Sequence, residues 1–260
     1  MNRIHQLFER KKENILSIFF TAGYPALNDT KDIIRNLAQS GVDLIEIGMP
    51  YSDPIADGNT IQQSSMKALD NGMSISLLFE QLKDIREEVD IPMILMGYLN
   101  PVVQYGMEAF VQKASEVGID GFILPDLPMY EYETQYKALF EQHDLSNIFL
   151  ITPQTSEERI RKIDEQTNGF IYMVSMDSTT GRVGEFSENQ LSYFRRINEM
   201  NLKNPRLIGF GIYNNQTFQA ACQHAAGAII GSAFIKAIGQ EGSVPPKVSH
   251  FISTILQPHL

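Results

Sequence analysis

The sequence has little of several things that common protein classes require. Its 260 residues include one cysteine, Cys222, so an internal disulfide is excluded and we expect a reducing, cytoplasmic environment. No apolar run approaches the ~20 residues that cross a bilayer. The positively charged N-terminus is not followed by an apolar stretch of signal-peptide length. The sequence therefore predicts a soluble, unexported protein with no membrane partner.

Positive charge and metal-binding motifs are also scarce. The chain has 21 Lys and Arg against 31 Asp and Glu, a formal charge of -10, so nucleic acid is not an expected partner. No HExxH, CxxC or P-loop pattern occurs, and the five histidines lie away from the predicted strand ends. We therefore expect neither a metal site nor a Ser-His-Asp triad.

What is present is a repeated alternation of strand and helix patterns, without a linker or a shift in composition. Continuous apolar strands are typical of a parallel sheet covered by helices, and eight strand-helix units predict a single-domain (β/α)₈ TIM barrel over residues 1–260. A doubly wound open sheet is the alternative. A short N-terminal helix bearing Ile4, Leu7 and Phe8 on one face could close the bottom of the barrel. The predicted strands are 15–20, 42–47, 91–96, 121–124, 147–151, 170–174, 206–210 and 226–230.

Glu46 is a carboxylic acid inside the second apolar strand. Catalytic groups of a barrel lie at the carboxyl ends of its strands, where Glu46 falls. Period-two alternation places it on the same side as Leu44, and we expect it to be semi-buried. Burial without a partner raises the pKa of a carboxyl group, which suits an acid that gives and takes a proton near neutrality. A structural acid bound to a neighbouring donor fits the spacing equally well.

Two further acids, Asp53 and Asp57, lie in the loop after this strand. An aspartate before a glycine, as in Asp57-Gly58, is ordinarily a turn residue. Its nearness to Glu46 favours a pair of carboxylates with separate roles, one fixed on a strand and one on a loop able to close. The spacing does not exclude Asp53 from the second role.

Glycines, hydroxyls and aromatic residues follow the later strands. Ser178-Thr-Thr-Gly181 with Gly184, Gly209-Phe-Gly211 and Gly231-Ser232 follow strands six, seven and eight. Exposed backbone N–H groups at such loops can bind a phosphate without a lysine, so the coincidence predicts a phosphate site. The aromatic residues could wall a flat apolar substrate, although packing is the simpler role for each. They are Phe19, Tyr98, Tyr172 and Phe210.

The segment Ile45-Glu-Ile-Gly-Met-Pro-Tyr-Ser-Asp-Pro-Ile-Ala-Asp-Gly58, with Thr60-Ile-Gln62, resembles the signature of tryptophan synthase alpha chains. This long segment is the specific part of the resemblance, which covers nearly the whole chain. The other matching motifs, in order, are Phe19 with Thr21-Ala-Gly23, Tyr98 with Asn100-Pro101, Pro125-Asp-Leu-Pro128, Thr180-Gly181, Gly209-Phe-Gly-Ile212 and Gly231-Ser-Ala233.

The resemblance implies a lyase that cleaves indole-3-glycerol phosphate to indole and glyceraldehyde 3-phosphate by a retro-aldol step. Glu46 would protonate indole C3, and Asp57 would hold the indole N–H. A beta chain would join it in an α₂β₂ assembly, with pyridoxal phosphate on that partner and no cofactor here. The implied substrate-binding residues are Phe19, Tyr98, Tyr172 and Phe210 around the indole and glycerol, and Thr180, Gly181, Gly211, Gly231 and Ser232 towards the phosphate.

The sequence departs from the family pattern at two places. Ser178-Thr179-Thr180-Gly181 stands where the family has Gly-Val-Thr-Gly, and Tyr51 replaces a phenylalanine. The first change leaves open a regulatory subunit with weak chemistry of its own that activates a beta partner. Another phosphosugar enzyme on the same barrel is the third hypothesis, and it predicts turnover of a phosphate ester without an indole.

Overall fold

The computed structural model describes residues 2–54, 57–175 and 186–257. Within those residues, nine parallel strand segments form one sheet in the order β5-β4-β3-β2-β1-β9-β8-β7-β6. The segments are β1 (Ile15–Thr21), β2 (Leu44–Gly48), β3 (Met93–Met96), β4 (Gly121–Ile123), β5 (Ser146–Asn147), β6 (Leu150–Ile151), β7 (Ile171–Val174), β8 (Arg206–Gly209) and β9 (Gly227–Ile230).

The fifth predicted strand, 147–151, closes the sheet, although it is divided rather than continuous. Ser146 and Asn147 pair with β4, whereas Leu150 and Ile151 pair with β7. Between these two pairs, the amide of Ile148 also donates to β4. One stretch of chain thus serves both ends of the sheet, and the eight-stranded TIM barrel is confirmed.

Helices follow the strands along the chain and cover the outside of the barrel. They are α1 (Arg3–Arg10), α2 (Thr30–Gln39), α3 (Asn59–Asp70), α4 (Ile75–Leu82), α5 (Leu99–Tyr105), α6 (Met107–Glu116), α7 (Met129–Glu131), α8 (Lys137–Gln142), α9 (Glu157–Gln166), α10 (Glu188–Glu199), α11 (Asn215–Cys222), α12 (Ser232–Ile238) and α13 (Val244–Leu256). A 3₁₀ turn (Ile85–Glu87) follows α4, and a π-helical turn (Tyr132–Tyr136) joins α7 to α8.

Three local sequence patterns predict something that the structure corrects. The apolar spacing of residues 77–89 predicts one helix, but the helix ends at Leu82 and is followed by the 3₁₀ turn. The glycine and proline of residues 97–101 predict a loop, but the chain becomes helical at Leu99, whose amide donates to the carboxylate of Asp126 at 2.9 Å. Pro101 lies in the first turn of α5, where its missing N–H costs no helical bond. Residues 59–60 predict the start of a capped helix; α3 does begin at Asn59, but its N-cap is Gly58, which makes no side-chain capping bond.

The first helix plugs the amino-terminal end of the barrel, as its spacing predicted. Ile4, Leu7 and Phe8 of α1 are buried in one cluster with inward side chains of the strands, including Leu44 and Ile94. A second, larger cluster lies between the strands and the outer helices. The interior cluster is therefore a packed core that closes one end of the barrel and leaves the other for a site.

A charged network reinforces the plugged end. The carboxylate of Asp120, which is 3% exposed, accepts hydrogen bonds from Arg86, from Arg3 of α1 and from the amide of Met93. The side-chain amide of Asn2 donates to the backbone carbonyl of Asp120 at 2.6 Å. Both carboxylate oxygens therefore have donors, as a buried charge requires.

Candidate active site

Glu46 lies on β2 with its side chain inside the barrel and is completely buried. The expectation of a semi-buried acid underestimated this burial. The hydroxyl of Ser17 donates to its Oε1 at 2.7 Å, whereas its Oε2 has no hydrogen-bond partner within the described residues. Burial raises the pKa of Glu46 to about 8, and the Ser17 bond opposes that rise only in part. This carboxyl group therefore holds its proton at neutral pH.

The register of the first two strands explains this environment. In the parallel pairing of β1 with β2, Ser17 lies opposite Leu44 and Phe19 lies opposite Glu46. Alternate residues of each strand face the interior, so the acid lies among apolar side chains with one hydroxyl in reach. The sequence held a signal for this contact, since Ser17 is the one polar residue inside the apolar run 15–20.

Asp57 lies on the loop after β2 and is half-buried. The hydroxyl of Tyr98 donates to its Oδ2 at 3.2 Å, and the side chain of Gln62 on α3 donates to its backbone carbonyl at 2.7 Å. Burial raises the pKa of Asp57, and the bond from Tyr98 opposes the rise. Asp53, the alternative, is exposed and bonded to the neighbouring Ser52. The structure thus separates the two aspartates that spacing alone left equal.

Two adjoining cavities lie at the carboxyl ends of the strands. A cavity of about 20 Å³ is lined partly by Tyr51, Tyr98 and Asp57. The other, of about 120 Å³, shares Phe19 and Asp57 with it. The complete lining of the larger cavity is Phe19, Asp57, Gly58, Ile61, Met96, Tyr172, Phe210, Gly211, Ile212, Ile229, Gly231 and Ser232.

Eight of the predicted residues line these two cavities, one is buried away from their lining, and two lie outside the described residues. Glu46 is sealed beneath the cavities, so a ligand can reach it only after a side chain moves. Thr180 and Gly181 lie outside the described residues, as does the rest of the Ser178–Gly181 departure. The eight that line the cavities are Phe19, Asp57, Tyr98, Tyr172, Phe210, Gly211, Gly231 and Ser232.

Tyr172 connects the sealed acid to the cavity. Its buried phenol has a pKa raised well above the ordinary value, first by burial and then by the charges of Glu46 and Asp57. The same ring lines the larger cavity. One neutral hydroxyl therefore lies in the field of both acids at the boundary between the interior and the cavity.

The loop after β8 has a constrained backbone. Phe210 has a φ of 70° and Gly211 a φ of 76°, so two consecutive residues are left-handed. That conformation costs a non-glycine residue about 1 kcal/mol. The ring of Phe210 is 40% exposed and lies edge-on to Tyr172 at 6.4 Å between centroids. At Gly209 a Cβ would collide with the hydroxyl of Tyr172, so only glycine fits there with Tyr172 in place.

Several residues of the site were not anticipated. Ile61 and Met96 add apolar surface to both cavities. Ser17 binds Glu46, and Ser175 binds the loop after β8. Helical spacing marks Ile61 only as an apolar residue, and hydroxyls at strand ends are too common to indicate a partner. Their roles depend on pairings between distant strands.

A larger groove, of about 620 Å³, lies at the amino-terminal end of the barrel, away from both acids. It is lined by Lys12, Arg206 and Cys222 among others. Burial raises the pKa of the Cys222 thiol to about 11, so it is protonated at neutral pH and a poor nucleophile. Size alone therefore does not identify the chemical site.

Across 2–54, 57–175 and 186–257, no group of three or more His, Cys, Asp or Glu side chains is placed to hold a metal ion. No helix in those ranges has the length and apolar character needed to cross a membrane.

Comparison with known proteins points to one family. The family model described as tryptophan synthase alpha chain matches residues 5–254. A tryptophan synthase alpha chain from Flavobacterium psychrophilum is 59% identical over 98% of this chain and 100% of its own length. One from Parabacteroides distasonis is 54% identical over 99% and 100%.

Solved structures agree with the sequence matches. The crystal structure of a tryptophan synthase subunit alpha from Legionella pneumophila superposes with a TM-score of 0.88 at 32% identity, covering 98% of this chain and 97% of that one. A tryptophan synthase from M. tuberculosis, in an aminoacrylate-bound form, gives 0.84 at 28% identity, with 98% of both chains covered. This chain therefore belongs to the tryptophan synthase alpha chain family.

Proposed function

We propose that this chain cleaves indole-3-glycerol phosphate to indole and glyceraldehyde 3-phosphate, as a carbon-carbon lyase in tryptophan biosynthesis. The observation that carries the proposal is Glu46, a buried carboxyl group with a pKa of about 8, next to a cavity walled by aromatic rings. Within the described part of the chain, its Oε2 has no hydrogen-bond partner. Membership of the family is the reason for proposing this particular substrate.

Glu46 is the proposed general acid. Transfer of its proton to indole C3 makes that carbon tetrahedral and places a positive charge on the ring nitrogen. The Glu46 carboxylate formed by this transfer then takes the proton from the hydroxyl on the adjacent glycerol carbon, and the aldehyde forms as the C–C bond breaks. The bonding electrons return to the ring and neutralise the nitrogen, so the step needs no oxidant or reductant. Because burial disfavours the carboxylate, Glu46 gives up its proton readily only when that charge is compensated.

Asp57 is the proposed counter-charge for the positive ring nitrogen. It lies on the wall common to both cavities and is oriented by the Tyr98 hydroxyl. A carboxylate there would accept a hydrogen bond from the indole N–H. It would stabilise the ring as the nitrogen becomes positive. Phe19, Tyr172 and Phe210 would pack on the indole and the glycerol.

The phosphate is proposed to bind at the opposite wall of the larger cavity. Gly211, Gly231 and Ser232 contribute that wall, from the loops after β8 and β9. No side chain fills the space at Gly211, so its backbone can approach a ligand closely. N–H groups and the serine hydroxyl would bind the phosphate without a cation, and Thr180 and Gly181 are proposed to complete the site.

A tryptophan synthase beta chain is the proposed partner, in an α₂β₂ heterotetramer. The family's name and the solved tryptophan synthase structures support this assembly. The cleavage consists of proton transfers and one C–C bond scission, which side chains can perform, so pyridoxal phosphate is expected only on the beta chain. Indole, the product made here, is the small neutral molecule that such a partner would consume.

An indole-release assay tests the proposal. The purified chain is mixed with indole-3-glycerol phosphate from pH 6 to 9, with and without a beta chain from a related species. Released indole is extracted into an organic solvent and quantified, since the phosphorylated substrate stays in the aqueous phase. We expect indole from the chain alone and faster turnover with the partner.

Two other outcomes would point to the alternatives. Activation of the beta chain without any cleavage of indole-3-glycerol phosphate would identify a regulatory subunit. Turnover of a phosphorylated triose or sugar in place of the indole ester would identify a different phosphosugar enzyme. In either case the lyase proposal is wrong.

A further inference from the structure

Ser175 connects the end of one strand to the loop after the next. It follows the last residue of β7 and is 3% exposed. Its Oγ lies 2.7 Å from the carbonyl oxygen of Phe210 and 2.9 Å from that of Gly209. Its backbone amide also donates to the carbonyl of Gly209, at 3.2 Å. A buried serine thus forms hydrogen bonds with the backbone at Phe210, where the chain adopts a left-handed conformation.

The hydroxyl matters most for Phe210. The carbonyl of Gly209 accepts from the amide of Ser175 whatever the side chain is, so the hydroxyl proton is available to the carbonyl of Phe210. Phe210 is the residue in the disfavoured conformation, with a φ of 70°. Such a conformation persists only when its surroundings hold it. The Ser175 hydroxyl is a short, buried bond that does so.

The consequence reaches the cavity wall. The peptide that joins Phe210 to Gly211 carries the carbonyl bound by Ser175 at one end and the Gly211 N–H at the other. Fixing the carbonyl therefore fixes the direction of that N–H, because the peptide unit is planar. Both residues line the larger cavity, Phe210 through its ring and Gly211 through its open backbone.

We propose that Ser175 is a positioning residue for the phosphorylated half of the substrate. Its hydroxyl holds the Phe210–Gly211 peptide in the orientation that presents the Gly211 N–H to the phosphate. This inference rests on the proposed function and adds a residue to it. It predicts a selective defect, because the hydrogen bonds of the Ser175 hydroxyl go to the backbone of Gly209 and Phe210.

The test compares two ligands on three variants. Ser175→Ala removes the hydroxyl, and Ser175→Thr keeps it. Ser253→Ala on α13 is the matched control, because the Ser253 hydroxyl also bonds a backbone carbonyl at 2.7 Å but lies outside the cavities. Glyceraldehyde 3-phosphate binding is measured by calorimetry and indole binding by fluorescence. KM and kcat for indole-3-glycerol phosphate are measured with a beta chain present, and urea unfolding checks each fold.

We expect Ser175→Ala to weaken glyceraldehyde 3-phosphate binding and to raise KM by about 10-fold, the loss of one hydrogen bond that orients a charged ligand. Indole affinity should stay within about 2-fold, and kcat within about 3-fold. Ser175→Thr should recover most of the phosphate affinity, and Ser253→Ala should behave as the unsubstituted chain.

Contrary results are separable. Unchanged phosphate affinity in Ser175→Ala, an equal loss of indole and phosphate affinity, or a folded Ser175→Thr as weak as Ser175→Ala would each overturn the positioning role. If the unsubstituted chain neither binds glyceraldehyde 3-phosphate nor cleaves the indole ester, the proposed function itself has failed, and the inference falls with it.

Discussion

Two buried carboxyl groups, one at each end of the barrel, show how similar burial can serve opposite purposes. Asp120 at the plugged end accepts bonds from two arginines and a backbone amide. Glu46 at the open end is fully buried, with one serine hydroxyl on Oε1 and no hydrogen-bond partner for Oε2 among the residues that the structure describes. The first arrangement stabilises a charge. The second favours a proton that can be given away.

The difference follows from what each acid is paired with. A buried carboxylate with guanidinium partners keeps its charge, because the attraction and the hydrogen bonds offset its lost hydration. A buried carboxyl group among apolar residues is neutral instead, and burial raises the pKa of Glu46 to about 8. Incomplete pairing at the site is therefore informative, whereas complete pairing at the plug indicates a structural role.

The largest expected effect is on catalysis. Glu46→Gln keeps the size of the side chain and removes its transferable proton, so kcat should fall about 10²–10⁴-fold. Below about pH 4.5 stability should change by less than about 1 kcal/mol, since there a neutral group replaces a neutral group in both the folded and the unfolded chain. Indole release and urea unfolding measure the two quantities. Full activity in this variant would move the acid role away from Glu46.

The second expected effect concerns pH. The folded pKa of Glu46, about 8, lies above its ordinary value of 4.5, so between these values the folded chain holds a proton that the unfolded chain has lost. Its contribution to stability is therefore present below about pH 4.5 and lost as the pH rises through about 8. The total loss is on the order of 5 kcal/mol. The unfolding free energy of the unsubstituted chain, relative to Glu46→Gln, should fall across this range. Parallel pH profiles for the two chains would contradict the raised pKa.

The third effect is on stability, with little change in kcat, which is the reverse of the first. Asp120→Asn leaves Arg86 without its charged partner, so the free energy of unfolding should fall by about 3 kcal/mol. The folded variant should keep kcat within a few-fold, because Asp120 lies at the end opposite the cavities. Asp90→Asn, which alters an exposed ion pair with Arg3, is the control and should cost less than about 1 kcal/mol. A stability loss no greater than that of the control would remove the distinction between the two buried acids.

The smallest pair of effects separates the two loop aspartates. Asp57→Asn should lower kcat about 10²-fold, because one electrostatic stabiliser of the transition state is lost. Asp53→Asn in the chain assayed alone should change kcat by less than about 2-fold, because Asp53 is exposed and bonded to the neighbouring Ser52. Steady-state assays without a beta chain give both numbers. Equal losses of kcat in the two variants would contradict separate roles for Asp57 and Asp53.

Much of the fold was accessible from the sequence, because apolar runs and capped helices are local patterns. The eight strands, the α1 plug and the start of α3 were predicted from such patterns. The division of the fifth strand was not, because it depends on β4 and β7 both pairing with the same short stretch. Helix α5 was missed for a related reason. Its first amide is satisfied by Asp126, which is distant in sequence.

The candidate site divides in the same way. The sequence itself determined which residue types stand at the strand ends: an acid in an apolar strand, a second acid in the next loop, and glycines after the later strands. Only the tertiary structure decided that Oε2 of Glu46 has no partner among the described residues, that Asp57 rather than Asp53 lines the cavities, and that Ser175 binds Phe210. The physical reason is that burial, pKa and hydrogen-bond partners depend on which strands become neighbours, and adjacent strands of a parallel barrel come from distant parts of the chain.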